Sequence, residues 1–313
     1  MPDAPTSRVL LTVATFRRPD DLAALLPLLL RAADEISPAA VIVVVDNDPG
    51  GGAGSQVAAH PGITYRHEPR PGIAAARNAS LAAARERGIA WVAFLDDDER
   101  PDPGWLAALV RAMQRWRPAA VSGPVISVFE QEPDAWVRGS GTFEPRAHAH
   151  GARIRGAATN NLLIDREVLD DRGLAFDDAF GLTGGSDSML TRAMTHQGLE
   201  IRWTSEAVVR EVVPVARTRR SWIVSRHRRT GNDWSRVTLA LAHGRREQLS
   251  ARLRLVVTGV RRTVRGVIGS AVGAARRDAG LRGAARCDLA TARGVLEGVF
   301  GRTRTEYARP GAS

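Results

Sequence analysis

Lysine is missing from this 313-residue chain: all 44 basic residues are arginine. Together with the abundant alanine and glycine, this reflects a GC-rich genome more than a chemical requirement. Cys287 is the only cysteine, so no internal disulfide can form and a reducing compartment fits. No stretch approaches the roughly 18 uninterrupted apolar residues of a membrane-spanning helix. The N-terminal "MPDAPTSRVLLTVATFRRPD" has no basic n-region and reads as a first strand, not a signal peptide. A cytoplasmic protein is expected. Also missing are a CxxC pair and a Ser-His-Asp elbow. The glycine-rich "GGGAGS" has neither the G-K-[S/T] ending nor the following helix of a phosphate loop.

What is present is ordinary in amount and uneven in placement. Apolar residues make up 44% and charged residues 25%, as in a soluble globular protein. Residues 214–313 hold 22 Arg against 6 acidic residues, a balance of +16, whereas residues 1–213 hold 22 against 28, a balance of −6. The acidic body argues against nucleic acid as partner. The basic segment suits a polyanion or a membrane surface.

Along the chain, apolar runs alternate with helical patterns. "RVLLTVAT" (8–15), "AAVIVVVDND" (39–48), "ITYRHE" (63–68) and "IAWVAFL" (89–95) read as strands. Helices are expected at 19–36, 73–88 and 103–116. This alternation predicts an α/β fold with a mostly parallel sheet flanked by helices, which binds ligands beyond its C-terminal strand ends. Three such ends carry polar clusters: Thr15 to Arg18, Asp46 to Asp48 and Asp96 to Asp98. Further on, "AAVSGPVISVF" (119–129) and "GAATNNLLIDREVL" (156–169) look like strands, and 177–213 reads as loop, helix and two strands. From about Arg219 the chain turns helical and basic, and this part is expected to dock on the body.

"FLDDDE" packs three aspartates after a buried strand, where each disfavours ionisation of the others unless a cation compensates. A D-x-D pair can grip a divalent ion that also binds substrate phosphates; the bland reading is a hydrated turn. "VIVVVDND" offers an acidic strand tip or a turn starter. Arg77 could face a diphosphate or be an ordinary surface arginine. In "GLTGGSDSML", Asp187 could be a general base or part of an N-cap. "HAH" (148–150) without partnering Cys or carboxylates reads as a solvated loop, not a metal site.

Taken in order, T-F-R-R-P, V-V-V-D-N-D, G-I-A-A-A-R-N, F-L-D-D-D-E-R-P and G-G-S-D resemble the family 2 glycosyltransferases of GT-A fold, from about Val9 to Trp234. The resemblance implies an inverting transfer from a nucleotide-diphospho-sugar, UDP-type favoured, with Mg²⁺ or Mn²⁺. It places Thr15 and Arg18 in the first nucleotide loop, Asp46 on the base and Arg77 facing the nucleotide. Asp96 falls near the ribose, Asp98 on the metal, Glu211 near the metal, and Asp187 as general base. Asp97 is grouped with the donor-binding residues by position alone. Ser186 stands where the family usually carries Glu. The expected domains are 1–218, catalytic, and 219–313, basic and helical.

Within the basic part, Leu249, Leu253, Val256, Val257, Val260, Val264, Val267, Ile268, Ala271 and Val272 form one helical stripe flanked by arginines. Such a helix can lie on an anionic bilayer, or it can pack on the body. A glycan, lipid-linked or small-molecule acceptor and a peripheral position on the inner face of the plasma membrane are expected. The alternatives are a nucleotidyltransferase acting on a sugar phosphate and an inactive membrane-surface binding protein of the same fold.

Overall fold

The computed structural model describes residues 8–303; residues 1–7 and 304–313, the extremities of the two expected domains, lie outside it. The first half alternates as the apolar runs require: β1 (Val9–Thr15), α1 (Pro19–Ala33), β2 (Val41–Asp46), α2 (Gly54–Ala58), β3 (Ile63–His67), α3 (Ile73–Glu86) and β4 (Trp91–Asp96). The single-turn α2 does follow the glycine-rich loop, contrary to expectation. Then come β5 (Glu99–Pro101), α4 (Trp105–Trp116), β6 (Ala120–Ser122), β7 (Val125–Phe129), α5 (Ala135–Gly139), β8 (Arg153–Ile154), β9 (Asn161–Asp165) and α6 (Arg166–Asp171). A 3₁₀ turn at Asp178–Phe180 leads to α7 (Ser186–His196), β10 (Ile201–Trp203), β11 (Val209–Val213), α8 (Val215–Thr218), α9 (Arg220–Ala240), α10 (Gly244–Ala275) and α11 (Ala279–Val299).

Eight strands form one sheet in the order β3-β2-β1-β4-β9-β6-β10-β8, and β5-β11-β7 form a second. The β3-β2-β1-β4 half is parallel, while β9 runs antiparallel to both β4 and β6. Side chains alternate across each strand, so both faces are apolar because both are covered. Leu11, Val13, Ile42 and Val44 pack on α1 and α4 through Leu22, Leu25, Leu26, Trp105 and Leu109. Leu10, Val43, Val45 and Phe94 face α3, α6 and α7 through Ala76, Ala79, Ala83, Leu169 and Met194. Each fully buried leucine contributes roughly 2 kcal/mol. Strand order reverses at β1, whose Thr15 pairs with Asp46 of β2 and whose Ala14 pairs with Asp96 of β4. The three polar strand ends therefore open into one crevice.

Two expected strands break where the chain changes sheet or conformation. "AAVSGPVISVF" divides into β6 in the large sheet and β7 in the small one. At the division a Cβ on Gly123 would lie 2.2 Å from the Ala207 carbonyl oxygen, so only glycine passes. In "GAATNNLLIDREVL" only Asn161–Asp165 is strand. Asp165 then caps α6 by accepting from the Glu167 and Val168 amides.

The basic region packs through small residues. Glycines of α9 and α11 let the two helices touch in parallel: a Cβ on Gly294 would lie 1.8 Å from the Arg228 carbonyl oxygen. Against α10, α11 runs antiparallel, with Gly259, Gly266 and Gly273 of α10 facing Leu296, Leu289 and Arg282. Gly280 and Gly283 of α11 in turn press on α5 of the body. The predicted apolar stripe is on the opposite side of α10. Leu249, Leu253, Val257, Val260, Val264, Val267, Ile268 and Val272 are 37–70% exposed, and only Val256 joins the interhelical core. The stripe is about 35 Å long at the α-helical rise.

Candidate active site

The crevice is built from the ends of β1, β2 and β4. Thr15, buried at the tip of β1, donates from Oγ1 to Asp97 Oδ2 at 2.9 Å. Arg18, just before α1, donates from NH1 to Asp97 Oδ1 and reaches Asp98 Oδ2, both at 2.9 Å. Asp97 thus links the β1 loop to the acidic turn. Burial is the first influence on its carboxyl and raises its pKa, against the pull of Arg18. Between these, Arg17 takes a left-handed backbone (φ 54°) and pairs with Asp48 through two hydrogen bonds of 3.1 Å.

Asp46 is already heavily engaged. Oδ1 accepts from the Asp48 amide at 2.9 Å, and Oδ2 accepts from the Ala53 amide at 2.8 Å and the Tyr65 hydroxyl at 3.1 Å. Three of a carboxylate's roughly four acceptor positions are thereby used. Asp46, 1% exposed, organises the β2–α2 loop. Asn47, the middle residue of the Asp46 to Asp48 cluster, donates to the Glu68 and Arg70 carbonyls at 2.8 and 2.7 Å and accepts from the Gly72 amide at 3.2 Å. Gly72 (φ 115°) lets the start of α3 approach Gly181, whose carbonyl accepts from the Ile73 amide at 3.1 Å.

That approach brings Arg77 of α3 against α7. Its NH1 donates to Ser186 Oγ at 2.9 Å, and its NH2 lies 3.8 Å from Asp96 Oδ1. Arg77 is buried over Phe176 and so is no surface arginine. Where the resembling family carries Glu, the neutral Ser186 leaves the charge of Arg77 directed at Asp96. Asp96 is 42% exposed, open to water from the crevice and enclosed by protein elsewhere. Loss of solvent pushes its pKa up to about 7; Arg77 opposes the rise, while Asp98, Asp97 and Asp187 add to it.

Asp187 is the second residue of α7, after Gly184 and Gly185 at φ 85° and 86°, a backbone that favours glycine. Its Oδ1 accepts from the Ser188 amide at 2.7 Å. The loop is clamped from α9: Arg236 donates to Thr183 Oγ1 at 2.6 Å and to the Ala179 carbonyl at 3.2 Å, and stacks over Phe180. The basic region thus takes part in holding the site.

The small sheet supplies the other wall. Its register sets Glu211 of β11 opposite Glu99 of β5, directly after the aspartates. Glu99 is buried; its Oε2 meets the Asp96 amide at 3.2 Å and its Oε1 meets Asn160 Nδ2 at 2.7 Å. Burial, then Asp96 and Asp98, hold its pKa well above the usual carboxylate range. Glu99 closes the "FLDDDE" motif, but nothing in the sequence gave it or Arg217 a role in the site. Arg217 of α8 donates to Asp98 Oδ2 at 2.6 Å and to Glu211 Oε1 at 2.8 Å. Asp98 and Glu211, 113 residues apart in sequence, are thus joined at one guanidinium. Two hard carboxylates suit Mg²⁺ or Mn²⁺ when substrate phosphates complete the shell. Among the described residues, no three His, Cys, Asp or Glu converge to hold a metal by themselves. His148 and His150 pack edge-on against Trp203 and Trp116.

Comparison with known proteins agrees with this architecture. Over 186 residues the chain is 33% identical to the succinoglycan biosynthesis protein ExoM of Rhizobium meliloti (strain 1021), covering 59% of each protein. Among solved structures it resembles the mannosyltransferase PcManGT from Pyrobaculum calidifontis in complex with GDP-Man and Mn²⁺. The TM-score is 0.62 at 17% identity, over 94% of this chain and 87% of that one. GalNAc-T7 with UDP, GalNAc and Mn²⁺ gives 0.50 at 14% identity, over 75% of this chain and 48% of that one. The fold is GT-A. Residues 11–173, just over half of the chain, match the model of the family described as Glycosyl transferase family 2; Asp187, Glu211 and Arg217 lie beyond that segment. The chain belongs to glycosyl transferase family 2.

Proposed function

We propose that the protein transfers a sugar from a nucleotide-diphospho-sugar to an acceptor hydroxyl, with inversion and with Asp187 as general base. The observation that carries this reading is the opposition of two carboxylate groups in one crevice. Asp96 to Asp98 follow β4 beside the nucleotide loops, and Arg77 ties Asp96 to Ser186, the neighbour of Asp187 at the start of α7. In-line displacement needs that separation: the leaving diphosphate departs on one side, and the hydroxyl loses its proton on the other. Asp187 Oδ1 is fixed by the Ser188 amide, and Oδ2 is left to take that proton.

Thr15, Arg18, Asp46, Asp96 and Asp97 line the donor side in this reading. Arg77 positions Asp96 and contributes positive charge. Asp98 and Glu211 would hold Mg²⁺ or Mn²⁺, which supplies electrostatic stabilisation of a leaving diphosphate when bound. The acceptor belongs to a glycan, a lipid-linked carrier or a small molecule. The exposed stripe of α10, flanked by arginines, supports peripheral work on an anionic membrane. No helix of the described residues is long and apolar enough to cross a membrane.

Incubation with a nucleotide-sugar panel, UDP-sugars first, and Mn²⁺ tests the reaction. Release of nucleoside diphosphate from one donor supports it. Pyrophosphate release from a nucleoside triphosphate and a sugar phosphate would favour a nucleotidyltransferase. Binding of a donor without turnover, with any acceptor class, would favour a binding protein.

A further inference from the structure

The two carboxylates read as cation ligands are joined by a cation that the chain itself provides. A single guanidinium, that of Arg217, spans Asp98 Oδ2 and Glu211 Oε1 at 2.6 and 2.8 Å. Both carboxylates are enclosed, with side chains 14% and 15% exposed. Arg18 approaches the same Asp98 oxygen at 2.9 Å. Burial would raise the Asp98 pKa, yet Arg217 and Arg18 together hold it below the ordinary carboxylate value. The planar fork of arginine suits this bridging, and a lysine could not reach both carboxylates in the same way.

The fork holds Asp98 Oδ2 and Glu211 Oε1 and sets its positive charge between the two carboxylates, the space a divalent ion bridging them would take. Guanidinium and ion therefore exclude one another. Arg217 sits on α8, a four-residue turn with no buried residue, set between extended Pro214 and Arg219. Its displacement uncovers no core.

We propose that Arg217 is the built-in counter-cation of the Asp98–Glu211 pair, and that a divalent ion binds by displacing it. The inference rests on the reading of Asp98 and Glu211 as cation ligands. It accounts for a folded acidic turn without metal, and it makes the cation affinity weaker than the same carboxylates would otherwise show.

The test is a Mn²⁺ titration, followed by the paramagnetic resonance signal of free Mn²⁺, on wild type, Arg217→Met, Arg217→Lys and Asp98→Asn, with no nucleotide present. Arg217→Met should bind Mn²⁺ at least tenfold tighter and Arg217→Lys should fall between it and wild type. Asp98→Asn should lose the site. Thermal melting checks folding; if the Met variant does not fold, the Lys variant carries the test, since it keeps the charge without the fork. Equal or weaker binding by the Arg217 variants, with Asp98→Asn still losing the site, overturns the displacement and leaves the cation reading standing. Binding that ignores Asp98→Asn overturns the cation reading, and this inference with it.

Discussion

Asp96→Asn should stabilise the protein without ligand, and more so at high pH. Asp96 titrates at about 7 in the folded protein, against 3.8 ordinarily, chiefly because protein replaces water around it. The folded state thus prefers the protonated form. The stability this brings is fully present below pH 3.8 and is lost as pH rises through 7. Undiscounted, the displacement corresponds to about 4 kcal/mol. The side chain is 42% exposed, so screening reduces this to roughly 1–2 kcal/mol. At an unfolding entropy of about 2 cal/mol/K per residue, the gain in Tm is roughly 2–3 °C. Asparagine resembles the protonated acid and carries no charge to desolvate. Melting of both proteins at pH 8.5 and pH 4 should show the full gain at the higher pH and little at the lower. A gain independent of pH, or a loss at pH 8.5 from breaking the contact with Arg77, would be incompatible with a folded state that favours protonated Asp96.

Val264→Glu with Ile268→Glu, both on the exposed stripe, should weaken flotation with anionic vesicles on the order of 100-fold; unchanged flotation would count against membrane contact. Gly294→Ala places a methyl 1.8 Å from the Arg228 carbonyl oxygen and should cost about 3 kcal/mol, measurable by urea unfolding. Burial, followed by Asp288, pushes the Cys287 thiol up to about 12, so Ellman's reagent at pH 8 should label it only after denaturation. Labelling of the native protein at the denatured rate would mean that α11 does not pack as described.

The parts of the site legible in the sequence are those built from local pattern. Apolar strands ending in Thr15, Asp46 and Asp96 announced a parallel sheet and its crevice, and the helical stripe of α10 was evident from spacing. Pairing between distant segments was not legible. Nothing near Glu211 shows that β11 runs beside β5, and nothing near Arg217 shows that it reaches Asp98. Gly123 was read as part of one strand, 119–129, because the Ala207 carbonyl that demands it is remote in sequence. The stripe showed an amphipathic helix without showing which face is covered. Apolar periodicity marks large side chains, and here the packed face of α10 is mostly small, with Ala251, Gly259, Gly266 and Gly273 beside Leu255.

In the proposed reaction Asp187 removes the proton of an acceptor hydroxyl. Its most direct test compares donor binding and sugar transfer in wild type and Asp187→Asn, once the donor is known. Donor affinity should stay within twofold, while the transfer rate falls by about 10²–10⁴. Transfer at the wild-type rate by Asp187→Asn would contradict the account.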